Sequence, residues 1–185
     1  MNSLDIKKQR ALTRSLVYKL TGKKIKHLKT GRPFVDRLID ISISHKNGLV
    51  GVGIIPSPYR IGIDIEHFRV DLNTRLFIGS AITNKEAIFL KKFCASNNFP
   101  LSSGIAIFWS IKESFFKCLD YNLRPGKISI LGISKLGKIR FRFSDEIGKV
   151  MEERNLRIHS AEASFKGEYV FSQTVMSKLS PGLIK

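Results

Sequence analysis

Apolar residues first recur at helical spacing, with Leu4, Leu12, Leu16, Val17 and Leu20 set among Lys and Arg in residues 3–20. That spacing predicts an amphipathic helix, stopped at "TGKK", where Gly22 suits a C-terminal cap. The period then shortens to two. "DISIS" alternates and ends at His45, "KNG" reads as a hairpin turn, and "LVGVGII" returns as a second strand. "YRIGIDIEHF" (59–68) alternates again after "PSP", so three strands in a small antiparallel sheet are expected. From about Thr83 helical spacing resumes. "TNKEAIFLKKF" predicts a helix beginning at Thr83. "LSSGIAIFWSIKESFFKCLDYN" predicts a second, capped by Ser102 or Ser103, whose first half is apolar all round and hence buried on several sides. "RPGK" breaks it. "KISILGISK", "KIRFRFS", "LRIHSAEASF" and "EYVFSQTVM" read as strands with hairpin connections, and "DEIGKVMEE" as a longer connection among them.

The pattern is α+β. Two blocks repeat the same order of elements, with a boundary near residues 56–61, which divides the chain into 1–60 and 61–185. At 185 residues and 43% hydrophobic content the chain is long and apolar enough for a substantial core. The net charge of +17 implies an anionic partner: nucleic acid, a phosphorylated ligand, an acidic protein or an anionic membrane. Cys94 and Cys118 have neither metal-ligand spacing nor a disulfide framework, which suits a reducing compartment. "MNSLDIKKQR" lacks the apolar core of a signal peptide, and "GIAIFW" is far too short to span a bilayer. A cytoplasmic protein is expected.

Candidate chemistry begins in "YRIGIDIEHF". Strand alternation puts Ile61, Ile63 and Ile65 on one face and Gly62, Asp64 and Glu66 on the other. Two like charges on an otherwise apolar strand repel unless a cation lies between them. A third carboxylate would complete an oxygen-only site of the kind Mg²⁺ takes, with waters or phosphate oxygens filling its shell. Glu113 and Lys117 lie four apart, on one face of a helix that is otherwise mostly core. A surface ion pair is the ordinary reading of that spacing, but charges on a buried helix need partners.

At these residues the chain resembles the 4'-phosphopantetheinyl transferases. "IGIDIE" followed by "FWSIKESFFK" is similar to their paired signature, in the variant of the surfactin/enterobactin-synthase (Sfp) type rather than that of the short trimeric synthases. "TGRPF" stands where that family has a G-[KR]-P loop, and "ISISHKNGLVGVGI" where it has an S-x-S-H strand and hairpin; the resemblance runs from about Gly31 to Leu119. It implies a pseudo-dimer of two similar sheet-plus-helix halves with coenzyme A in the cleft between them. Asp64, Glu66 and Glu113 would hold Mg²⁺ with the coenzyme A pyrophosphate. Lys117 would contact that phosphate and steady the leaving group. His45, with Ser44 beside it, would bind a coenzyme A phosphate, and Arg32 would line the nucleotide pocket. Glu86 stands where the family carries a glutamate proposed as the base for the acceptor serine; Thr83-x-x-Glu86 is equally a capping box. Gly62 would leave room for the cofactor.

The implied reaction is attack by a carrier-protein serine on the coenzyme A β-phosphate, releasing 3',5'-ADP. The N-terminal strand and basic segment that such transferases place ahead of "KKQRALTRSLVYKL" has no counterpart here, so a shortened first half is expected, with Arg10 and Arg14 as partial substitutes. The cleft would close within one chain, as a monomer. Two rivals share parts of the pattern. A Mg²⁺-dependent nuclease would also cluster acids beside a lysine, but on a strand with the acid and lysine two apart. A basic nucleic-acid-binding module explains the charge and leaves the buried acids without a reason.

Overall fold

The first helical pattern forms α1 (Ser3–Thr21) in the computed structural model, which describes residues 3–67, 82–122 and 124–178, with side chains from Lys7 onward. Gly22 adopts φ +68 and its N–H returns to Tyr18 O at 2.8 Å, the expected cap. The buried stripe differs from the expected one. Gln9, Thr13 and Val17, spaced four apart, face inward, while Leu12 and Leu20 remain 51% and 55% exposed. Leu4 lies outside the described side chains. The helix rests on a narrow two-stranded ribbon that covers one stripe only, and the leucines flank it.

That ribbon pairs β3 (Ile39–Lys46) with β4 (Leu49–Pro56), antiparallel from Ile39↔Pro56 to Lys46↔Leu49. Asn47 and Gly48 turn it with positive φ at both positions, the geometry a two-residue hairpin prefers. Ahead of it, β1 (Lys26–His27) and β2 (Pro33–Phe34) form a short ribbon. The loop between them carries Gly31 at φ +85, whose N–H closes onto Leu28 O at 2.9 Å.

The strand β5 (Tyr59–His67) does not join this ribbon's ladder, contrary to the expected three-stranded sheet. It pairs antiparallel with β9 (Tyr169–Lys178), which pairs with β8 (Leu156–Lys166) in the order β5–β9–β8. The Ser and Gly face of the β3–β4 ribbon packs against β5 instead. A Cβ on Gly51 or Gly53 would fall 2.8 Å from the side chain of Ile65 or Ile63, so these glycines admit the isoleucine row.

Helix α2 (Asn84–Ser96) starts with a complete capping box: the Thr83 hydroxyl accepts from Glu86 N, and Glu86 Oε2 accepts from Thr83 N. Helix α3 (Leu101–Leu119) begins at Pro100 without a side-chain cap; Ser102 and Ser103 already lie inside it, and Ser103 is buried. Its first half is buried on all sides as expected, from Ser103 to Phe108. A 3-10 turn (Pro125–Lys127) leads into β6 (Ile128–Ile133) and β7 (Ile139–Phe143). The segment "DEIGKVMEE" is no irregular connection. It forms α4 (Asp145–Glu153), capped by the Ser144 hydroxyl, with Ile147 and Met151 one turn apart in the core.

Among the described residues, most buried apolar side chains fall into three clusters. One, around Val17, Val35 and Ile41, belongs to residues before 60; the other two, around α3, draw on residues from 82 onward. No helix among the described residues is long and apolar enough to cross a membrane.

Candidate functional site

The position of α3 on the sheet determines the site. Ser110, Ser114 and Cys118, four apart, make a stripe of small residues on the helix face toward β5 and β9. Ser110 Oγ meets Ser172 Oγ at 2.8 Å, and Ser114 Oγ meets Thr174 Oγ1 at 3.1 Å. Gly62 completes the fit from β5: a Cβ there would lie 1.9 Å from Ser114 O and 2.4 Å from Cys118 N. Gly62 thus makes room for the helix, which corrects the expectation that it makes room for a cofactor.

So close an approach brings α3's charged residues onto Asp64. This carboxylate, 4% exposed in mid-strand, receives Lys117 Nζ at 2.6 Å and the Ser44 hydroxyl at 2.9 Å, both on Oδ1. Lys117 Nζ also lies 3.3 Å from Glu113 Oε2. The i,i+4 pair is therefore part of a junction between α3 and β5, not a surface bridge. Two carboxylates share one ammonium in a half-buried space. Burial and then the neighbouring Asp64 charge push the Glu113 carboxyl above its ordinary value, with Lys117 opposing them. A cluster short of positive charge invites a cation.

Glu66 is placed differently. Its Oε1 lies 2.6 Å from Lys46 Nζ, at the end of β3, and also accepts from His67 N at 2.8 Å. Among the described residues, no three carboxylates, histidines or cysteines are grouped to hold a metal. Asp64 and Glu113 are brought together; Glu66 stands one rung further along the same face. No motif marks Lys46, and its place level with the end of β5 follows from the tertiary fold.

The remaining candidates divide by exposure. His45 is exposed on β3. Ser44 is 4% exposed and turned inward onto Asp64. Arg32 is 8% exposed: its guanidinium donates to Asp40 Oδ2 at 2.5 Å, to Ile61 O at 3.0 Å and to Lys117 O. Glu86 is buried away from this cluster. Beyond the capping box, Oε2 receives Lys112 Nζ at 2.7 Å and Oε1 receives Ile130 N at 2.7 Å, tying α2, α3 and β6 together. Lys112, the first lysine of "KESFFK", is fully buried and also donates to Pro125 O at 2.9 Å. Of the two readings of Glu86, the cap is the one its bonds carry.

A cleft of ≈ 480 Å³ opens beside the junction, the size of a small-ligand site. The Thr30–Pro33 loop forms one wall, Glu113 and Lys117 another, and Asp120 with Tyr121 and Asn122 closes the end.

A model of the 4'-phosphopantetheinyl transferase superfamily matches residues 60–172, more than half of the chain. Among solved structures, the fold is similar to holo-[acyl-carrier-protein] synthase of Neisseria meningitidis. That likeness has a TM-score of 0.53 at 24% identity and covers 64% of this chain and 98% of that one. It is also similar to the ACPS–CoA complex of Chronobacterium ammoniagenes, with a TM-score of 0.50 at 14% identity, covering 67% of this chain and all of the other. No curated protein sequence matches.

Proposed function

The chain belongs to the 4'-phosphopantetheinyl transferase superfamily, and we propose that it transfers phosphopantetheine from coenzyme A to a serine of an apo carrier protein, releasing 3',5'-ADP. The observation that carries this reading is the meeting of Asp64, Glu113 and Lys117 inside the matched segment, with Glu113 and Lys117 also lining the ≈ 480 Å³ cleft. Phosphoryl transfer needs positioning and neutralised charge more than covalent help from the protein. Lys117 would supply one positive charge, and the two acids would position a second.

Asp64 and Glu113 fit Mg²⁺: two oxygen donors face each other across a single ammonium, and burial, then the Asp64 charge, raises the Glu113 carboxyl, a cost that a divalent ion would relieve. Glu66, on the same strand face, would join them once released from Lys46. When bound, the ion would neutralise phosphate charge. Lys117 would then turn from Asp64 to a phosphate oxygen and hold the leaving group. His45, exposed at the end of β3, would meet a further phosphate, and Arg32 would stiffen the cleft wall while its guanidinium stays engaged with Asp40. Ser44 faces Asp64 rather than the cleft and would act on the ligand only through that carboxylate. The chain's +17 charge suits both a polyanionic substrate and an acidic carrier.

We read residues 1–60 as a shortened first half and 61–185 as the second, the two-halved Sfp arrangement. The block α1–β4, with its own apolar cluster ahead of the matched segment, supports this. The cleft draws its walls from both blocks of one chain, which supports a working monomer; the cytoplasm is its proposed place. A panel of apo carrier proteins incubated with the protein, Mg²⁺ and coenzyme A, then weighed intact, tests the proposal. A phosphopantetheine mass gain supports it. No gain on any carrier, together with metal-dependent cutting of DNA, would favour a nuclease instead.

A further inference from the structure

Strand β5 is the edge of its sheet, yet its edge is not open. The N–H groups of Ile61, Ile63 and Ile65 donate to Asp40 Oδ2, Ser42 Oγ and Ser44 Oγ at 2.7, 3.0 and 3.1 Å. Each rung advances two residues on both strands, so β3 lies parallel to β5 and in register with it. Side-chain oxygens occupy the places where a neighbouring strand would present carbonyls, because the main chain of β3 is already paired with β4 throughout. Arg32 closes one end of the row, on Asp40 and on Ile61 O.

Ser44 closes the other end, and its hydrogen bonding is saturated. A hydroxyl has one proton and two lone pairs. Ile65 N–H at 3.1 Å and Lys117 Nζ at 3.4 Å are both donors, so the lone pairs are taken. The proton goes to Asp64 Oδ1, 2.9 Å away. The Asp64 carboxylate is thereby oriented by a group that is itself fixed to the main chain.

We propose that Asp40, Ser42 and Ser44 form a side-chain ladder that docks the first block of the chain on β5, and that Ser44 is a positioning residue for Asp64. The second clause rests on the transferase reading; the first does not.

Amide hydrogen exchange on the intact protein tests the ladder without any assay of activity. The amides of Ile61, Ile63 and Ile65 should exchange as slowly as those of Gly62 and Asp64. Exchange at the rate of an open sheet edge overturns the ladder. Ser42→Ala should speed exchange at Ile63 by about tenfold, the scale of one hydrogen bond, with smaller changes at Ile61 and Ile65. Ser44→Ala should do the same at Ile65 and lower kcat for transfer on the order of tenfold, with KM for coenzyme A changed less. A loss confined to stability, with kcat at the parent value, overturns the positioning role. If the parent transfers nothing while the exchange pattern holds, the ladder stands and only the transferase reading falls.

Discussion

Adding one methyl group at Gly62 should separate the two halves of the site. The new Cβ would lie 1.9 Å from Ser114 O, whereas ordinary contact begins at 3.4 Å, so α3 must withdraw from β5 by about 1.5 Å. The Lys117–Asp64 bond of 2.6 Å spans the same gap and would open to about 4 Å, beyond hydrogen-bonding range. Overpacking of this kind costs about 1–3 kcal/mol, which lowers the melting temperature of a chain this size by about 2–4 °C per kcal/mol. Gly62→Ala should therefore melt several degrees below the parent and lose most transfer activity. Gly148→Ala is the control. A Cβ there meets nothing within 4 Å on α4, and replacing a helical glycine with alanine should stabilise by about 0.5–1 kcal/mol. Thermal melts paired with the carrier mass assay read both effects. A Gly62→Ala protein that melts with the parent and still transfers would refute the close-packing argument.

Lys112→Met should be among the costliest core changes, because it leaves the fully buried Glu86 without its cation. Breaking such a pair costs about 3–5 kcal/mol, a fall on the order of 10 °C in melting, and adding Glu86→Gln should recover part of it. Glu113→Gln should abolish transfer, yet melt at or above the parent at neutral pH. The folded state raises that carboxyl, so its contribution to stability is present below the unfolded value and is lost as pH rises through the folded one. The gain should vanish in acid, and a lower melting temperature at every pH would count against it. Burial pushes the Cys118 thiol up to about 12, against the pull of Arg32 and Arg60. Stability should therefore fall by about 1.4 kcal/mol per pH unit as pH climbs from 9 toward 12, a slope that Cys118→Ala should remove in denaturant melts run across that range.

Local signals made much of this molecule legible. The Asn47–Gly48 turn, the Thr83–Glu86 capping box and the buried first half of α3 are each written in adjacent residues. So was α4, where Ser144 precedes two acids and Ile147, Val150 and Met151 recur at helical spacing; the short segment between strands hid a pattern that was present. The partner of β5 was not legible, since it is β9, more than 100 residues on, and ladder partners depend on the tertiary fold. For the same reason nothing in "DISIS" tells that its alternating serines serve β5. In the site, Asp64, Glu113 and Lys117 meet as the paired motifs imply, because one helix and one strand carry them. Glu66 was expected with them from strand alternation and from the resemblance, and neither gives its neighbour, Lys46.

In the proposed reaction the Asp64–Glu113–Lys117 junction performs the transfer. The intact mass of an apo carrier that the parent converts, after incubation with Asp64→Ala, Mg²⁺ and coenzyme A, tests it most directly. If the junction performs the transfer, the carrier stays unmodified by a variant that still folds cooperatively, although it melts lower for the loss of the bonds from Lys117 and Ser44. A carrier modified at the parent's rate would contradict it.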